Sequence, residues 1–311
     1  MKFALMGYGL IGKVHEAALQ QAQNASLEAI IDTAQIQTDL PVFDSIQGLR
    51  ASDIQVDAII IATPNGLHFE HARQALENDF HAVVEKPITL SSKDFERLIF
   101  IAESKKRRVF NMLQLRFAPI PQWVKKALND KLFGQVYMVN VQCYWNRNAA
   151  YYQQREWHGT REMDGGVLFT QFSHFVDVLH YWFEELKPKD IRSFNFNHQD
   201  STEFPDSGII NFEITHGFGS MVYTISTFEK NFDSNITIIA EKATLQIGGQ
   251  YMNQINYFNA ENVENPFSKE TEKRFHKQAL EEIATALTNN RSSILDAENA
   301  RNVIRFLETV S

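Results

Sequence analysis

Apolar and polar positions in the first third of the chain follow two alternating periods. Short apolar runs predict buried strands: FALMGYG, SLEAIID, VDAIIIATP, HAVVEKP and RVFNMLQLR. Between them, apolar residues recur at helical spacing in three segments: GKVHEAALQQAQ, HFEHARQALEND and SSKDFERLIFIAESKK. Strands that alternate with helices of this length predict βαβ units and a parallel sheet covered on both faces.

The pattern changes near residues 117–122, where FAPIPQ contains two prolines that break it. Beyond this point the predicted strands alternate between apolar and polar residues, which is typical of an antiparallel or mixed sheet with one packed face. Helical spacing returns at 168–185, at 273–290 and in the final DAENARNVIRFLETV. The predicted fold class is α/β: an N-terminal Rossmann domain with a doubly wound parallel sheet over 1–117, and a C-terminal α+β domain with a large open mixed or antiparallel sheet over 118–311.

Composition and charge exclude several classes of protein. The 311 residues are 44% hydrophobic and 22% charged, as in a soluble globular protein of two domains. The net charge of −8 argues against nucleic-acid binding, and the basic run 105–108 is interpreted as a solvated helix end. The single cysteine, Cys143, excludes a disulfide framework, and no metal site is predicted. The chain has no apolar run of about 18 residues and no signal-peptide pattern, so a cytoplasmic protein without membrane partners is expected.

A glycine-rich loop lies between the first predicted strand and helix. GYGLIG (7–12) matches G-x-G-x-x-G in the context that dinucleotide binding requires. The first glycine permits the tight turn, the second lets the backbone approach a pyrophosphate, and the third lets helix and strand pack closely. The predicted cofactor-binding residues here are Gly7, Tyr8, Gly9, Leu10, Ile11 and Gly12.

An acidic residue, Asp32, ends the second predicted strand. A carboxylate at this place accepts hydrogen bonds from an adenosine ribose and repels a 2′-phosphate. The following Thr33, Ala34 and Gln35 include no arginine to hold such a phosphate. NAD is therefore predicted in preference to NADP, and the alternative interpretation of Asp32 is a helix N-cap.

Three further motifs carry a family resemblance. ATPNGLHFEHA (62–72), VVEKP (83–87) and DGGVLFTQFSHFVD (164–177), taken with the glycine loop, resemble the glucose–fructose oxidoreductase/inositol dehydrogenase (Gfo/Idh/MocA) family over essentially the whole chain. The resemblance implies a Rossmann domain, a C-terminal mixed sheet that shapes the substrate pocket, and a C-terminal helix, 296–311, that packs back on the first domain.

The resemblance also implies roles for individual residues. The bond between Lys86 and Pro87 is expected to be cis. The cofactor-lining residues that it implies beyond the glycine loop and Asp32 are Thr63, Pro64, Asn65, His68, Glu85, Lys86, Gln114 and Trp157.

The catalytic helix of the family usually carries an Asp and a His one turn apart. His174 matches the histidine, whereas Thr170 occupies the position of the Asp. A threonine can hydrogen-bond a hydroxyl but cannot take up a proton as a carboxylate does. The catalytic residues are therefore predicted to be Lys86, with a pKa lowered beside the nicotinamide, and His174. Asp177 is expected to brace the helix.

LQLRFAP (113–119) and the segment 144–166 resemble one branch of the family, the UDP-N-acetylglucosamine and UDP-N-acetylglucosaminuronate 3-dehydrogenases. Arginines there offer charge to a diphosphate and aromatic rings offer flat faces to a sugar or base. The alternative is that this segment is an ordered loop over the cofactor or a subunit contact. The predicted substrate-binding residues are Lys86, Arg116, Tyr144, Arg147, Tyr152, His158, Thr170, Gln171 and His174.

The predicted function is NAD-dependent oxidation of a secondary hydroxyl of a sugar or sugar nucleotide. The alternatives are a free-sugar or inositol-type polyol dehydrogenase, a glycosidase that works through transient oxidation by NAD, and an NAD-binding regulatory protein without turnover. Apolar residues on alternate positions of strands such as MVYTISTF predict a homodimer or homotetramer formed through the C-terminal sheet.

Overall fold

The structure is a computed structural model that describes residues 1–311. The strands, in chain order, are β1 (Lys2–Met6), β2 (Ser26–Ile31), β3 (Val42–Phe43), β4 (Ala58–Ile61), β5 (His81–Val84), β6 (Val109–Asn111), β7 (Val136–Tyr144), β8 (Lys187–Phe194), β9 (Ser207–Ile214), β10 (Gly217–Thr224), β11 (Asp233–Ala240), β12 (Ala243–Gly248) and β13 (Gln254–Ala260). The α-helices are α1 (Leu10–Gln21), α2 (Ile46–Arg50), α3 (His68–Glu77), α4 (Ser92–Lys105), α5 (Pro119–Asn129), α6 (Ala149–Gln153), α7 (Ser173–Phe183), α8 (His276–Thr288) and α9 (Arg301–Val310).

Six parallel strands form the first sheet, in the order β3-β2-β1-β4-β5-β6. This is the strand order of a dinucleotide-binding Rossmann fold. Every residue of β4 is buried, since a parallel sheet carries helices on both faces. The predicted Rossmann sheet is therefore confirmed, and β3 and α2 are additional short elements that the apolar pattern did not indicate.

The second sheet is mixed, with seven strands in the order β13-β12-β11-β7-β10-β9-β8. β7 and β10 pair in parallel, and the other neighbours pair antiparallel. Along β7, Val139, Val141 and Cys143 are buried whereas Asn140 and Gln142 are partly exposed. This alternation is the period of a sheet with one packed face, so the predicted mixed sheet is also confirmed.

The two prolines near residue 120 begin a helix instead of interrupting one. Pro119 and Pro121 lie in the first turn of α5. A proline is tolerated there because its missing N–H would have no intrahelical partner. FAPIPQ was interpreted as a break in the pattern of the first domain. That interpretation did not predict α5, which begins at Pro119.

The predicted helix 168–185 begins with a π-helical turn, Leu168–Phe172, before α7 continues to Phe183. Gly165 and Gly166 precede it with φ angles of +84° and +113°, in the region that residues with a Cβ rarely adopt. These two glycines turn the chain sharply before the helix.

Two compact units divide the chain: Met1–Gln114 with Arg274–Ile304, and Leu115–Lys273 with Arg305–Ser311. In the first unit α8 packs against α1, and Arg301 donates a hydrogen bond to Glu96 at 2.5 Å. In the second unit Phe306 packs against Phe212 with ring centroids 6.2 Å apart. Residues 274–304 thus belong to the same unit as the first sheet. The predicted boundary had assigned them to the C-terminal domain, 118–311. Of the predicted 296–311 helix, only the part up to Ile304 belongs to the first unit.

No helix of the chain combines the length and the apolar character that crossing a membrane requires.

A buried ion pair fixes helix α7 in the second unit. The Arg116 guanidinium donates to the Asp177 carboxylate at 2.7 and 3.1 Å. The two side chains are only 4% and 1% exposed. Asp177 thus occupies a position suited to bracing α7. Arg116 was predicted to bind substrate, but its guanidinium is committed to Asp177, and this geometry does not support a role as a diphosphate ligand.

We expect Asp177→Ala to lower the free energy of unfolding by about 3–5 kcal/mol, because the buried guanidinium then lacks its counter-charge. Urea unfolding followed by circular dichroism measures the loss. Glu213→Ala, which removes a half-exposed partner of Lys189, is the matched control and should cost no more than about 1 kcal/mol. Equal effects of the two substitutions would contradict this account of Asp177.

Candidate functional site

The glycine loop joins β1 to α1 in a conformation that requires glycine at two positions. Gly7 has φ +93°, and a Cβ there would lie 2.7 Å from the carbonyl oxygen of Ala62. A Cβ on Gly12 would lie 2.3 Å from the carbonyl oxygen of Gly7. Both distances are shorter than real Cβ contacts, so a substitution would displace the loop.

The amino end of α1 is open to an anion. Gly9 is its N-cap and provides no side chain to cap the helix. The side chains of Leu10 and Ile11 are 73% and 40% exposed. The first N–H groups of a helix have no intrahelical acceptor, and the helix dipole favours negative charge there. These residues therefore fit the pyrophosphate of a dinucleotide.

Asp32 follows β2 and lies beside the glycine loop. Its carboxylate accepts the N–H of Tyr8 at 2.7 Å and the N–H of Ala34 at 2.9 Å. The Tyr8 hydroxyl donates to Glu16 at 2.6 Å, and this hydrogen bond raises the pKa of Tyr8. The two backbone bonds orient the half-exposed carboxylate, a position that suits ribose hydroxyls.

A buried histidine connects the segments that follow β4 and β5. His68 Nδ1 lies 2.7 Å from the carbonyl oxygen of Pro87, and its Nε2 lies 2.8 Å from the carbonyl oxygen of Thr63. Burial lowers the pKa of His68. The Lys86–Pro87 bond is cis, as the family resemblance implied. Asn65 is buried in the same turn, and Pro64 is partly exposed.

Glu85 is a buried carboxylate at the end of β5. One oxygen lies 2.7 Å from His15 Nε2, and the other accepts the N–H of Lys86 at 3.1 Å. Burial alone would raise the pKa of Glu85, but the hydrogen bond from His15 and the nearby positive charges outweigh it and lower the pKa to about 2. The segment that carries the half-buried Lys86 is thereby tied to α1.

Sequence reasoning missed two histidines beside Glu85. His15 is fully buried, and its ring meets that of His276 edge to face at 5.3 Å. Burial lowers the pKa of His276 to about 4. The position of His15 one helical turn after Gly12, on the face that meets the sheet, could have indicated its burial; nothing in the sequence indicated His276.

Gln114 ends the first stretch of the first unit, and its Oε1 is buried without a hydrogen-bond partner. A buried polar atom usually has a partner, so a bound group could supply one here. This atom, the glycine loop and Asp32 together fit a dinucleotide. No group of three or more His, Cys, Asp or Glu side chains is arranged to hold a metal ion.

In the second unit, four side chains form what we call the Arg147 cluster: Arg147, Tyr151, His158 and Gln171. Arg147 Nε donates to Gln171 Oε1 at 2.8 Å, and Gln171 Nε2 donates to the Tyr151 hydroxyl at 2.8 Å. Tyr151 stacks on His158 with ring centroids 4.6 Å apart. Burial lowers the pKa of Arg147 and raises that of Tyr151. Of these residues, Tyr151 was the one not among the predicted substrate residues.

A buried histidine–aspartate pair holds the backbone beneath this cluster. His198 Nε2 contacts the Arg147 carbonyl oxygen, and its Nδ1 lies 3.0 Å from the carboxylate of the fully buried Asp206. Tyr152 packs edge to face on His198 at 5.6 Å. Burial raises the pKa of Tyr152, and the charge of Asp164 raises it further.

The structure separates the predicted residue Tyr144 from this cluster. Tyr144 stacks on Phe232 at 6.4 Å on the sheet face opposite that of the buried Cys143, so it does not join the other predicted aromatic residues. Trp157 packs edge to face on His158 at 4.2 Å, next to the Arg147 cluster. His174 lies on the first turn of α7 and is partly exposed.

We expect Glu85→Gln to destabilise the protein in a pH-dependent manner. Because folding lowers the pKa of Glu85 to about 2, its contribution is complete above its ordinary pKa of 4.5 and is lost as the pH falls through that range. The difference in unfolding free energy between parent and variant, measured in urea, should therefore shrink as the pH falls below about 5. Glu103→Gln, on the exposed side of α4, is the control. A difference for Glu85→Gln that stays constant down to pH values of about 3 would contradict the pairing.

Comparison with known proteins finds a solved structure and curated relatives that are similar to this chain. The chain is 28% identical to the WlbA dehydrogenase of Bordetella pertussis, solved in complex with NADH and UDP-GlcNAcA, with a TM-score of 0.88 over 99% of this chain and 94% of that one. It is 32% identical over 188 residues to an uncharacterised oxidoreductase of Synechocystis sp., covering 58% of this chain and 50% of the relative. It is 27% identical over 183 residues to the scyllo-inositol 2-dehydrogenase (NADP(+)) of Bacillus subtilis, covering 57% of this chain and 50% of the relative. The chain thus spans about half the length of these curated relatives.

Two family models cover most of the chain. Residues 1–112 match the oxidoreductase family with an NAD-binding Rossmann fold, and residues 125–311 match the C-terminal alpha/beta domain of the same family. The chain belongs to the Gfo/Idh/MocA oxidoreductase family.

Proposed function

We propose that the protein is an NAD-dependent dehydrogenase that oxidises the C3 hydroxyl of a nucleotide-linked N-acetylamino sugar or its uronate. The observation that carries this proposal is the Arg147 cluster, which combines a guanidinium with stacked flat rings. The likeness to a dehydrogenase whose complex holds NADH and UDP-GlcNAcA supports the same substrate class.

The chemistry of the Arg147 cluster suits an anionic sugar derivative. Arg147 lies over the rings of Trp145 and Tyr151, 4.8 and 5.2 Å from their centroids. A guanidinium held against aromatic rings keeps its charge and forms directional bonds to a carboxylate or phosphate. In a protein with a net charge of −8, such a local positive group is needed to attract an anion.

Lys86 and His174 are the residues that we assign to proton transfer. The backbone at Lys86 is fixed by the bond from its N–H to Glu85 and by the contact of His68 with the Pro87 carbonyl. An amine on a fixed backbone can accept the hydroxyl proton with little loss of orientation. NAD, when bound, supplies the acceptor for the hydride.

Asp32 supports the choice of NAD within this proposal. Its carboxylate is held by two backbone N–H groups and follows β2 directly. A negative charge at this place repels a ribose 2′-phosphate. A relative that uses NADP(+), the B. subtilis dehydrogenase, makes the preference a matter for direct measurement.

One finding favours a second candidate function, a dehydrogenase of free cyclic polyols: the likeness to the scyllo-inositol 2-dehydrogenase of B. subtilis.

The test is NADH formation with UDP-N-acetylglucosamine, UDP-N-acetylglucosaminuronate, free N-acetylglucosamine and scyllo-inositol. We expect kcat/KM for a UDP-sugar to be at least about tenfold higher than for the free compounds, because one good charge-assisted contact to the diphosphate contributes about that factor. Turnover of inositol alone favours the second candidate. Tight NAD binding without reduction by any of these compounds favours a regulatory protein.

A homodimer or homotetramer in the cytoplasm stays a prediction. Ile209, Phe218 and Tyr257 lie exposed on the strands of the second sheet and are the positions through which copies would pair. Light scattering of the purified chain measures the number of subunits.

We expect Lys86→Ala to lose turnover by about 10²-fold or more, the usual contribution of an acid–base residue. NAD binding, measured by calorimetry, should remain, since the glycine loop and Asp32 are unchanged. Lys93→Ala, which alters an exposed lysine on α4, is the control. A Lys86→Ala variant with parental turnover would remove this residue from the mechanism.

We expect Asp32→Ala to weaken the discrimination between NAD and NADP, because the charge that repels a 2′-phosphate is lost. The ratio of kcat/KM for the two cofactors should fall by about tenfold, the effect of one close charge. Asp39→Ala, in the loop that follows, is the control. An unchanged ratio would show that Asp32 does not contact the ribose.

A further inference from the structure

The Arg147 cluster contains a glutamine whose amide orientation the structure fixes. Gln171 is only 8% exposed, and the two polar ends of its amide face different partners. Arg147 Nε lies 2.8 Å from one end, and the Tyr151 hydroxyl oxygen lies 2.8 Å from the other. An arginine nitrogen only donates, so the end that faces Arg147 is the amide oxygen. The amide nitrogen of Gln171 therefore faces Tyr151.

The direction of the Tyr151 hydroxyl proton follows from this orientation. An amide nitrogen only donates, and so does the Arg147 guanidinium, the other hydrogen-bonding group beside this hydroxyl. The hydroxyl oxygen of Tyr151 is therefore an acceptor toward both neighbours, and its proton points away from them. Burial raises the pKa of Tyr151, so the proton stays in place at neutral pH. No group of the chain accepts this proton, which leaves it for a ligand.

Arg147 carries a half-buried positive charge that has no acidic partner. Its Nη1 donates to the Asn146 carbonyl oxygen at 2.7 Å and lies 3.3 Å from Asn231 Oδ1. These acceptors are neutral, as is the amide oxygen of Gln171, and Arg147 forms no ion pair with an acidic side chain. A charge withdrawn from water without a counter-charge costs free energy, so an anionic ligand would supply what the chain does not.

The ring of Tyr151 is held in place next to this charge. His158 stacks on it with ring centroids 4.6 Å apart, and His158 Nδ1 lies 3.1 Å from the Tyr151 carbonyl oxygen. The N–H of Tyr151 donates to Asn148 Oδ1 at 3.1 Å, the cap of helix α6. Both the backbone and the ring are thus fixed, and the hydroxyl proton has a defined direction relative to Arg147.

We propose that Arg147 and Tyr151 form a donor-only subsite for an anionic oxygen group of the substrate, and that Gln171 is the positioning residue that sets the direction of the Tyr151 proton. A positive charge beside a hydroxyl donor favours phosphate or carboxylate oxygens over neutral groups. This inference rests on the proposed function, in which the anionic group is the diphosphate or the sugar carboxylate. Tyr151, which the sequence did not indicate, is thereby assigned to substrate binding.

Gln171→Glu is a sharp test because it reverses the Tyr151 proton with almost no change of shape. One carboxylate oxygen keeps the contact with Arg147 Nε, and the other replaces the amide nitrogen opposite Tyr151. A carboxylate cannot donate, so the Tyr151 proton turns toward it and no longer serves a ligand. The carboxylate also supplies the counter-charge that Arg147 lacks.

The first measurement is KM and kcat at saturating NAD for UDP-N-acetylglucosaminuronate and UDP-N-acetylglucosamine. Tyr151→Phe keeps the stacked ring and should raise KM by about tenfold with kcat within about threefold, as expected for loss of one hydrogen bond to a charged group. Gln171→Glu should raise KM by about 100-fold, since both the donor and the free charge are lost. The double variant should lie within about threefold of Gln171→Glu, because the proton of Tyr151 is already turned away.

The two substrates identify the source of the anionic oxygen. A KM increase with both in Tyr151→Phe assigns the subsite to the diphosphate, and an increase with the uronate alone assigns it to the sugar carboxylate; either result supports the proposal. Parental KM values for both substrates would overturn it. A further tenfold increase on adding Tyr151→Phe to Gln171→Glu would also overturn it, because the role given to Gln171 would then be wrong.

Tyr137→Phe, which removes the hydroxyl of an exposed tyrosine on β7, is the matched control and should leave KM unchanged. Urea unfolding of each variant shows whether it folds like the parent. If Gln171→Glu does not fold, Tyr151→Phe still decides the assignment of Tyr151, and Gln171→Met, which removes both amide contacts at similar size, replaces it in the double variant.

The second measurement needs no turnover and separates this inference from the proposed function. Calorimetry gives the Kd of the NADH-loaded protein for the same two UDP-sugars in the parent and in Tyr151→Phe. A Kd about tenfold higher in Tyr151→Phe supports the subsite even if the parent oxidises neither compound, a result that would overturn the proposed function alone. Turnover by the parent together with an unchanged Kd in Tyr151→Phe would overturn the inference and leave the proposed function intact.

Discussion

Glu85 and His15 form a buried hydrogen bond of 2.7 Å on which the arrangement of the first unit depends. His15 lies on α1, which begins at the glycine loop, and Glu85 follows β5 directly before Lys86. The pair holds these two segments together because a buried carboxylate without a partner costs free energy. The second carboxylate oxygen fixes the backbone of Lys86 itself. One side chain thus ties the predicted phosphate site to the predicted catalytic amine, and His276 packs α8 against the same point.

The other candidate groups of the first unit lie at the carboxyl ends of the strands of the first sheet. The glycine loop follows β1, Asp32 follows β2, the Thr63 turn follows β4 and Lys86 follows β5. In a parallel sheet these ends lie side by side, so a single ligand can reach all of them. In the second unit, buried polar side chains hold an irregular segment in place. Asp164 contacts Thr170. His198, paired with Asp206, contacts the main chain of Arg147.

Periodicity and the glycine motif were sufficient to predict five of the six strands of the first sheet and the two sheet types. These features depend on local alternation and on backbone conformations that only glycine adopts. Helix α5 was missed because prolines in a first turn resemble a chain break. The membership of 274–304 in the first unit was missed because it depends on the packing of α8 against α1, which no local pattern encodes.

The candidate site was predictable only in part for the same reason. Gly7, Asp32 and Lys86 lie in short motifs, whereas the partners that position them, such as His15 and His276, come from distant parts of the chain. Arg116 shows another limit: the resemblance of LQLRFAP to one branch of the family predicted it to bind substrate, whereas in the structure its guanidinium donates to Asp177 in the core. The pairing of Thr170 with Asp164 required the turn at Gly165 and Gly166, which the sequence letters alone do not specify.

Transfer of hydrogen from the sugar to the cofactor is the most direct measurement of the proposed chemistry. UDP-N-acetylglucosaminuronate that carries deuterium at C3 is incubated with the protein and NAD, and the reduced cofactor is analysed by mass spectrometry. The proposed C3 oxidation predicts deuterium in the nicotinamide ring of the NADH that forms. Unlabelled NADH from this substrate, or no reduced cofactor at all, would contradict it.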